Sequence, residues 1–193
     1  MGVNLKIFER FPEHETERIL LRDFKHEDRA GLLELRSNKE AMKYIDNYPF
    51  GTLEEADERI KLQKDDFNEK RGITWAMEEK GTGRFMGYFG FFNMMLRHSR
   101  AEAGYMLLPR FWNKGFMSET FKLLLPNAFD EMGFHSVEAN VNPANTASIK
   151  LLESFGFKRE AYYRENYFFD GKFLDSAVYS LLREDLIIKQ DRK

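Results

Sequence analysis

Apolar positions along this chain follow two different repeats, and the switches between them predict its elements. Ile19-Leu-Leu-Arg-Asp-Phe24 is a short apolar run and predicts a strand. From about His26 to Asn38 the repeat becomes helical, with Ala30, Leu32, Leu33 and Leu35 as apolar positions, and a second short helix is expected from Lys39 to Ile45. After the loop Tyr48-Pro-Phe-Gly51, Thr52-Leu-Glu-Glu55 is a capping box. It opens a helix to about Lys70, striped by Leu53, Ala56, Ile60 and Phe67. Ile73–Glu78 and Phe85–Phe92 read as strands joined by a hairpin at Gly81-Thr-Gly83. A loop from Met94 leads to a strand over Ala101–Leu108, where Gly104 marks a bulge or a close approach, and a bulge there would help to open the sheet. A long helix starts near Met117, with Phe121, Leu124, Leu125, Ala128 and Met132 in phase, and Pro126 is expected to kink it. Ser136–Val141 is the next strand, and the last two strands flank the turn Asp170-Gly171. Strands and helices alternating in this way, with hairpins at the end, predict an α/β (α+β) domain: a mixed sheet covered by helices.

The richest segment is Tyr105-Met-Leu-Leu-Pro-Arg-Phe-Trp-Asn-Lys-Gly-Phe-Met-Ser-Glu119. A strand ends at Pro109, a loop carries Asn113, Lys114 and Gly115, and a helix begins close to Ser118. Such a junction directs unpaired backbone N–H groups and the positive end of a helix dipole at one spot, which suits a phosphate. The chain has neither G-x-x-x-x-G-K-[ST] nor G-x-G-x-x-G, so the nucleoside-triphosphate loop and the dinucleotide fingerprint are both missing. A plain strand-to-helix turn is the other reading of this glycine.

A second constellation is Val141-Asn-Pro-Ala-Asn-Thr-Ala-Ser-Ile-Lys-Leu-Leu-Glu-Ser-Phe-Gly-Phe157. Asn142 followed by Pro143 fits an N-cap with proline at the first helical position, and Gly156 fits a helix stop. Ser148, Leu151, Leu152 and Phe155 share one face, with Asn145 one turn earlier. Spacing alone leaves two readings open. Asn145 caps the helix while Ser148 bonds a backbone carbonyl, or both face a ligand.

Taken together, these stretches resemble the acetyl-CoA-binding core of the Gcn5-related N-acetyltransferases (GNAT). They are most similar to the RimJ/RimL branch, which acetylates ribosomal-protein alanine N-termini. Glu15–Arg22 resembles that branch's opening strand, and Ala101-Glu-Ala-Gly-Tyr-Met-Leu-Leu-Pro109 its fourth. Trp112-Asn-Lys-Gly-Phe-Met117 stands where the family carries Arg/Gln-x-x-Gly-x-Gly/Ala, and Asn142–Ser148 through Gly156-Phe157 resembles its asparagine-bearing helix. The resemblance spans about residues 15 to 185 and implies one N-acetyltransferase domain over 1–193. The fold it implies is a mostly antiparallel sheet of about seven strands, splayed between the fourth and fifth.

Composition narrows the partners. Lys plus Arg total 30 against 32 for Asp plus Glu, so no global charge steers the chain toward nucleic acid or a membrane. It has no cysteine, which removes disulfides, thiolate metal sites and a cysteinyl-acyl intermediate. The first residues show no long apolar segment, so neither an export signal nor a span is expected, and a cytoplasmic location is. His14, His26, His98 and His135 lack metal-ligand spacing, and no metal is expected. Tyr163, Tyr167 and Phe168 are candidates for the acceptor side, although aromatics in strands usually fill cores.

The resemblance implies direct attack of a primary amine on acetyl-CoA. Backbone of Met106, Leu107 and Leu108 would pair with pantetheine, and the amides of Asn113, Lys114, Gly115, Phe116, Met117 and Ser118 would hold the pyrophosphate. Met117 and Trp112 depart from the family pattern, so only their backbones are counted on. Glu102 is the candidate general base, its alternative being a carboxylate that orients a neighbouring strand. The family's usual tyrosine is replaced by Leu152, which leaves Ser148 as the candidate hydroxyl for the leaving sulfur and Asn145 to bond pantetheine or a water. The acceptor implied is a protein N-terminal α-amine. A polyamine or aminoglycoside, or a non-catalytic acyl-CoA sensor, are the alternatives. A monomer or homodimer is expected.

Overall fold

The computed structural model of the protein describes residues 2–188. Among these residues, twelve strands and α-helices follow one another: β1 (His14–Glu15), β2 (Ile19–Arg22), α1 (Arg29–Ser37), α2 (Leu53–Asn68), β3 (Ile73–Glu79), β4 (Arg84–Met95), β5 (Arg100–Leu107), α3 (Phe116–Asp130), β6 (Ser136–Val141), α4 (Thr146–Ser154), β7 (Lys158–Phe169) and β8 (Lys172–Leu182). The strands form one eight-stranded sheet in the order β1-β2-β3-β4-β5-β6-β8-β7. All neighbours are antiparallel except β5 and β6, which run parallel. The strand beyond the anticipated seven is β1, two residues long.

Helices cover both faces. Tyr105 on β5 meets Phe121 of α3 with ring centroids 5.1 Å apart, whereas Met106, the next residue, receives a hydrogen bond from the Arg36 guanidinium of α1 at 3.6 Å. Successive strand residues point to opposite faces, so α1 and α3 lie on opposite sides of the sheet. Phe121 is fully buried and touches Phe89, Tyr105, Phe155 and Phe157. Burying one such side chain stabilises by about 1.5–3 kcal/mol.

Local chemistry fixes most element ends. Thr52 Oγ1 accepts from the Glu55 amide and Glu55 returns a bond to the Thr52 amide, which is the anticipated capping box. Asp170 and Gly171 both have positive φ, as a tight hairpin turn requires. Three expectations are corrected. Residues 39–45 form successive turns, because Asn38 Oδ1 takes the amides of Glu40 and Ala41 and the turns extend no further than Ile45. The helix after β6 starts at Thr146, not at Pro143. Asn142 Oδ1 accepts from Ala144, its carbonyl accepts from Asn145, and that turn uses up the residues of the expected first helical turn. Gly104 pairs in register with Gly90 and makes no bulge; its missing Cβ leaves room for the Phe92 ring, which a Cβ would approach to 2.8 Å. The bulge is on β4, where Asn93 and Met94 oppose the single residue Ala101 and Asn93 takes φ 47°.

Candidate active site

The parallel pair sets up the site. β5 and β6 are in register only at Arg100–Ser136, Ala101–Val137 and Glu102–Glu138. Past Glu102, β5 stays with β4 as far as Leu107, while β6 stays with β8 as far as Val141. The sheet therefore opens between them. The Leu108 amide donates to Met86 O across the β4 side, so alternation turns the backbone groups of Ala103, Tyr105 and Leu107 toward the opening. Of the three positions expected to meet pantetheine, Leu107 alone faces the gap, and its carbonyl accepts from the Trp112 indole at 2.7 Å. The backbones of Met106 and Leu108 are turned to β4.

At the lower end of the gap, β5 feeds α3 through a turn at Pro109–Phe111 and an exposed loop. Asn113 and Gly115 adopt φ values of 58° and 81°, a left-handed turn that glycine makes without strain. No side chain caps α3, and its first intrahelical bond runs from the Glu119 amide to Gly115 O. The amides of Phe116, Met117 and Ser118 are left pointing past the helix end. Phe116 and Met117 bury their side chains, so only their amides are available there.

Arg18, from the turn before β2, lies across this loop and was missed by sequence reasoning. Its Nη1 donates to Lys114 O at 3.1 Å, its Nε donates to Glu119 at 2.7 Å, and the guanidinium stands 4.4 Å from the Phe116 ring centroid. Burial works against ionisation of Glu119, but hydrogen bonds from Thr16 and Arg18 outweigh it and hold its pKa below the ordinary value. The sequence places Arg18 in the opening-strand motif but carries no local signal of a partner on α3.

Two groups of polar side chains flank the opening on opposite faces. On the α1 side, Glu102 accepts a 2.8 Å bond from Asn93 Nδ2, the residue at the β4 bulge. Beside it in register is Glu138, which is paired with Arg100. Glu138 also lines a trough of about 690 Å³ with Arg100, Asn140, Tyr163, Asn166 and Ser176. On the α3 side, the hydroxyls of Tyr105 and Ser148 lie 2.6 Å apart. Burial pushes the Tyr105 pKa up to about 12, with the Ser148 bond opposing it in part. Asn145 Oδ1 accepts from the Ser148 amide, so Asn145 is the α4 cap, whereas the Ser148 hydroxyl bonds Tyr105 and not a backbone carbonyl.

The remaining aromatic candidates are not core residues. Tyr163 and Phe168 are exposed, and Tyr167 donates to Asp46 at 2.6 Å, tying the segment after α1 to β7. His14 packs beside Trp75, and burial lowers its pKa. Among the described residues no group of three or more histidine or acidic side chains is arranged to hold a metal, and no helix is long and apolar enough to cross a membrane.

Comparison with known proteins agrees with this geometry. Residues 18–158 match the family model described as an acetyltransferase (GNAT) domain. An uncharacterized N-acetyltransferase of Bacillus subtilis, YoaA, is 32% identical over 173 residues, covering 90% of this chain and 98% of that protein. A GNAT-family acetyltransferase structure from Bacillus anthracis superimposes with a TM-score of 0.79 at 26% identity, covering 90% of this chain and 99% of the other. Mycobacterium smegmatis RimJ in complex with CoA-disulfide gives 0.78 at 19% identity, covering 87% and 83%. Vibrio cholerae spermidine N-acetyltransferase in complex with CoA and spermine gives 0.76 at 20%, covering 88% and 98%. The likeness to these last two is one of fold.

Proposed function

The chain belongs to the GNAT family of N-acetyltransferases, and from that membership we propose that it moves an acetyl group from acetyl-CoA directly to the α-amine of a protein N-terminus. The observation that carries the reading is the opening between β5 and β6, with an uncapped helix at one end and a carboxylate and a hydroxyl pair on its two faces.

Pantetheine would pair with the gap-facing backbone of β5, with Leu107 among its contacts. The amides from Asn113 to Ser118, together with the Lys114 side chain, would hold the pyrophosphate. Charge-assisted hydrogen bonds there contribute roughly 1.5–3 kcal/mol each, against about 0.3–1 kcal/mol for the helix dipole, so the bonds dominate. Arg18 acts through the loop it clamps. Arg18→Ala is expected to raise the acetyl-CoA Kd up to about tenfold in calorimetry, with kcat little changed. The pH sense follows from Glu119. Its folded pKa is depressed, so the clamp's contribution is fully present above the ordinary value of 4.5 and is lost as pH falls through the lowered one. Cofactor affinity should therefore be flat across neutral pH.

Holding amine and thioester in one cleft supplies much of the acceleration. Glu102, held by Asn93, takes the proton from the attacking nitrogen. Ser148 donates a hydrogen bond to the departing sulfur. Asn145, as the α4 cap, keeps Ser148 in place.

The trough supports a peptide acceptor. Arg100 and Glu138 neutralise one another, and the Ser180 hydroxyl donates to Glu160. What remains is the single negative charge of Glu160 among neutral donors and acceptors such as Asn140, Asn166 and Ser176, which suits a peptide with one terminal ammonium better than a polycation. An α-amine near pKa ~8 is also partly neutral at physiological pH, unlike a lysine near ~10.4. Thiol release from acetyl-CoA should be measured with peptides bearing free alanine or serine N-termini, an N-blocked lysine peptide, spermidine and an aminoglycoside. The free N-termini are expected to react fastest. Fastest reaction with spermidine or the aminoglycoside would reassign the acceptor, and CoA binding without thiol release from any amine would make the protein a sensor.

A further inference from the structure

Tyr105 and Ser148 reach each other from different elements, β5 and α4, beyond the last paired residues of β5 and β6. Their hydroxyls lie 2.6 Å apart, and each oxygen carries one hydrogen. One of the two must donate. Tyr105 is the better donor, because a phenol is more acidic than an alcohol and burial keeps this one protonated. Its ring is also immobilised: it stacks on Phe89 with centroids 6.2 Å apart and meets Phe121 edge-on at 5.1 Å. Ser148 is fixed from two sides, its amide by Asn145 Oδ1 at 3.2 Å and its Oγ by Tyr105. With its oxygen accepting, the serine's own hydrogen has no partner among the described residues.

We infer that Tyr105 is a positioning residue for the transfer: its O–H donates to Ser148 Oγ and so turns the serine hydrogen toward the departing sulfur. This deepens the proposed function and rests on its reading of Ser148. In the reaction the N–C bond forms and the C–S bond breaks, with the bonding pair leaving on sulfur. Glu102 takes one proton from nitrogen and returns it to solvent, and the departing thiolate takes one from solvent, so none is gained or lost. Ser148 lowers the barrier by hydrogen-bonding the charge that builds on sulfur, and it need not lose its own proton. Without Tyr105 the serine rotor is free to turn away.

A double-mutant cycle on the full chain tests this, with kcat and the acetyl-CoA KM read separately. Tyr105→Phe keeps both ring contacts and removes only the oxygen. It is expected to lower kcat about three- to tenfold with KM unchanged. Ser148→Ala should lower kcat about 10²-fold, in line with loss of one charge-stabilising donor, and Ser148→Thr should restore most of it. In the Ser148→Ala background, Tyr105→Phe should add nothing. An equal loss from Tyr105→Phe in both backgrounds would make it a packing residue and overturn the inference. So would a Tyr105→Phe enzyme at full rate while Ser148→Ala is slow, and that result would leave the role of Ser148 standing. Full activity of Ser148→Ala would instead remove the serine from the site, and this inference with it.

Discussion

Replacing Arg22 with methionine is expected to lower the unfolding free energy by about 3–5 kcal/mol, the usual consequence of leaving buried charges unpaired. Arg22 sits at the end of β2 with a side chain only 4% exposed. It donates to both carboxylate oxygens of Asp28 at 2.7 and 2.8 Å, to Glu78 at 2.6 Å and to the Asp23 carbonyl at 2.9 Å. Burial alone would lower its pKa, but the bonds to Asp28 and Glu78 raise it instead. The guanidinium thus joins β2 and β3 to the turn that opens α1. Methionine would fill the volume and leave Asp28 and Glu78 without their shared guanidinium, with only the exposed Lys25 ammonium 4.0 Å from Glu78. A melt should show Tm falling by roughly 6–20 °C, since each kcal/mol is worth about 2–4 °C in a domain of this size. Triple replacement of Arg22, Asp28 and Glu78 by apolar residues should recover much of the loss, because a well-packed apolar substitute often matches a buried ion network. A single Arg22→Met variant with unchanged Tm would show that the network contributes nothing.

The second large effect is on turnover. Glu102→Gln is expected to lower kcat about 10²-fold at neutral pH with acetyl-CoA affinity unchanged. Glutamine preserves the side-chain volume but cannot accept a proton. The loss belongs at the low end of the range for a general base because an α-amine is already partly neutral. For the same reason the deficit should shrink as pH rises through about 8, whereas an acceptor with a lysine-like pKa would keep it to higher pH. Affinity should hold because the loop proposed to hold the pyrophosphate lies at the other end of β5 from Glu102. Asn93→Ala, which removes the 2.8 Å bond to the carboxylate, should reproduce part of the loss. Turnover unaffected by Glu102→Gln at every pH would assign the carboxylate to strand orientation.

The loop from Asn113 to Ser118 and the cap at Thr52 were legible in the sequence because their physics is local. A positive φ selects glycine, and a threonine three residues before a glutamate closes its own ring of bonds. The family resemblance drew on the same local runs. The mistakes are also local in origin. Gly104 looked like a bulge because nothing in its own strand shows that the Phe92 ring fills the space where a Cβ would go. Asn142 looked like the cap because proline follows it, yet its side chain closes a turn of its own and leaves the capping to Asn145.

What the sequence determined by itself, then, is most of the run of helices and strands and the left-handed turn of the loop before α3, since periodicity, capping and turn preference act between residues a few positions apart. Only the tertiary structure decided that Arg18 lies against Lys114 and Glu119, that Asn93 holds Glu102, and that Tyr105 meets Ser148 across 43 residues of chain. The pattern of a strand shows which residues share a face, but not what that face meets. That depends on how far β5 and β6 stay paired, and the competing pull of β4 and β8 sets it.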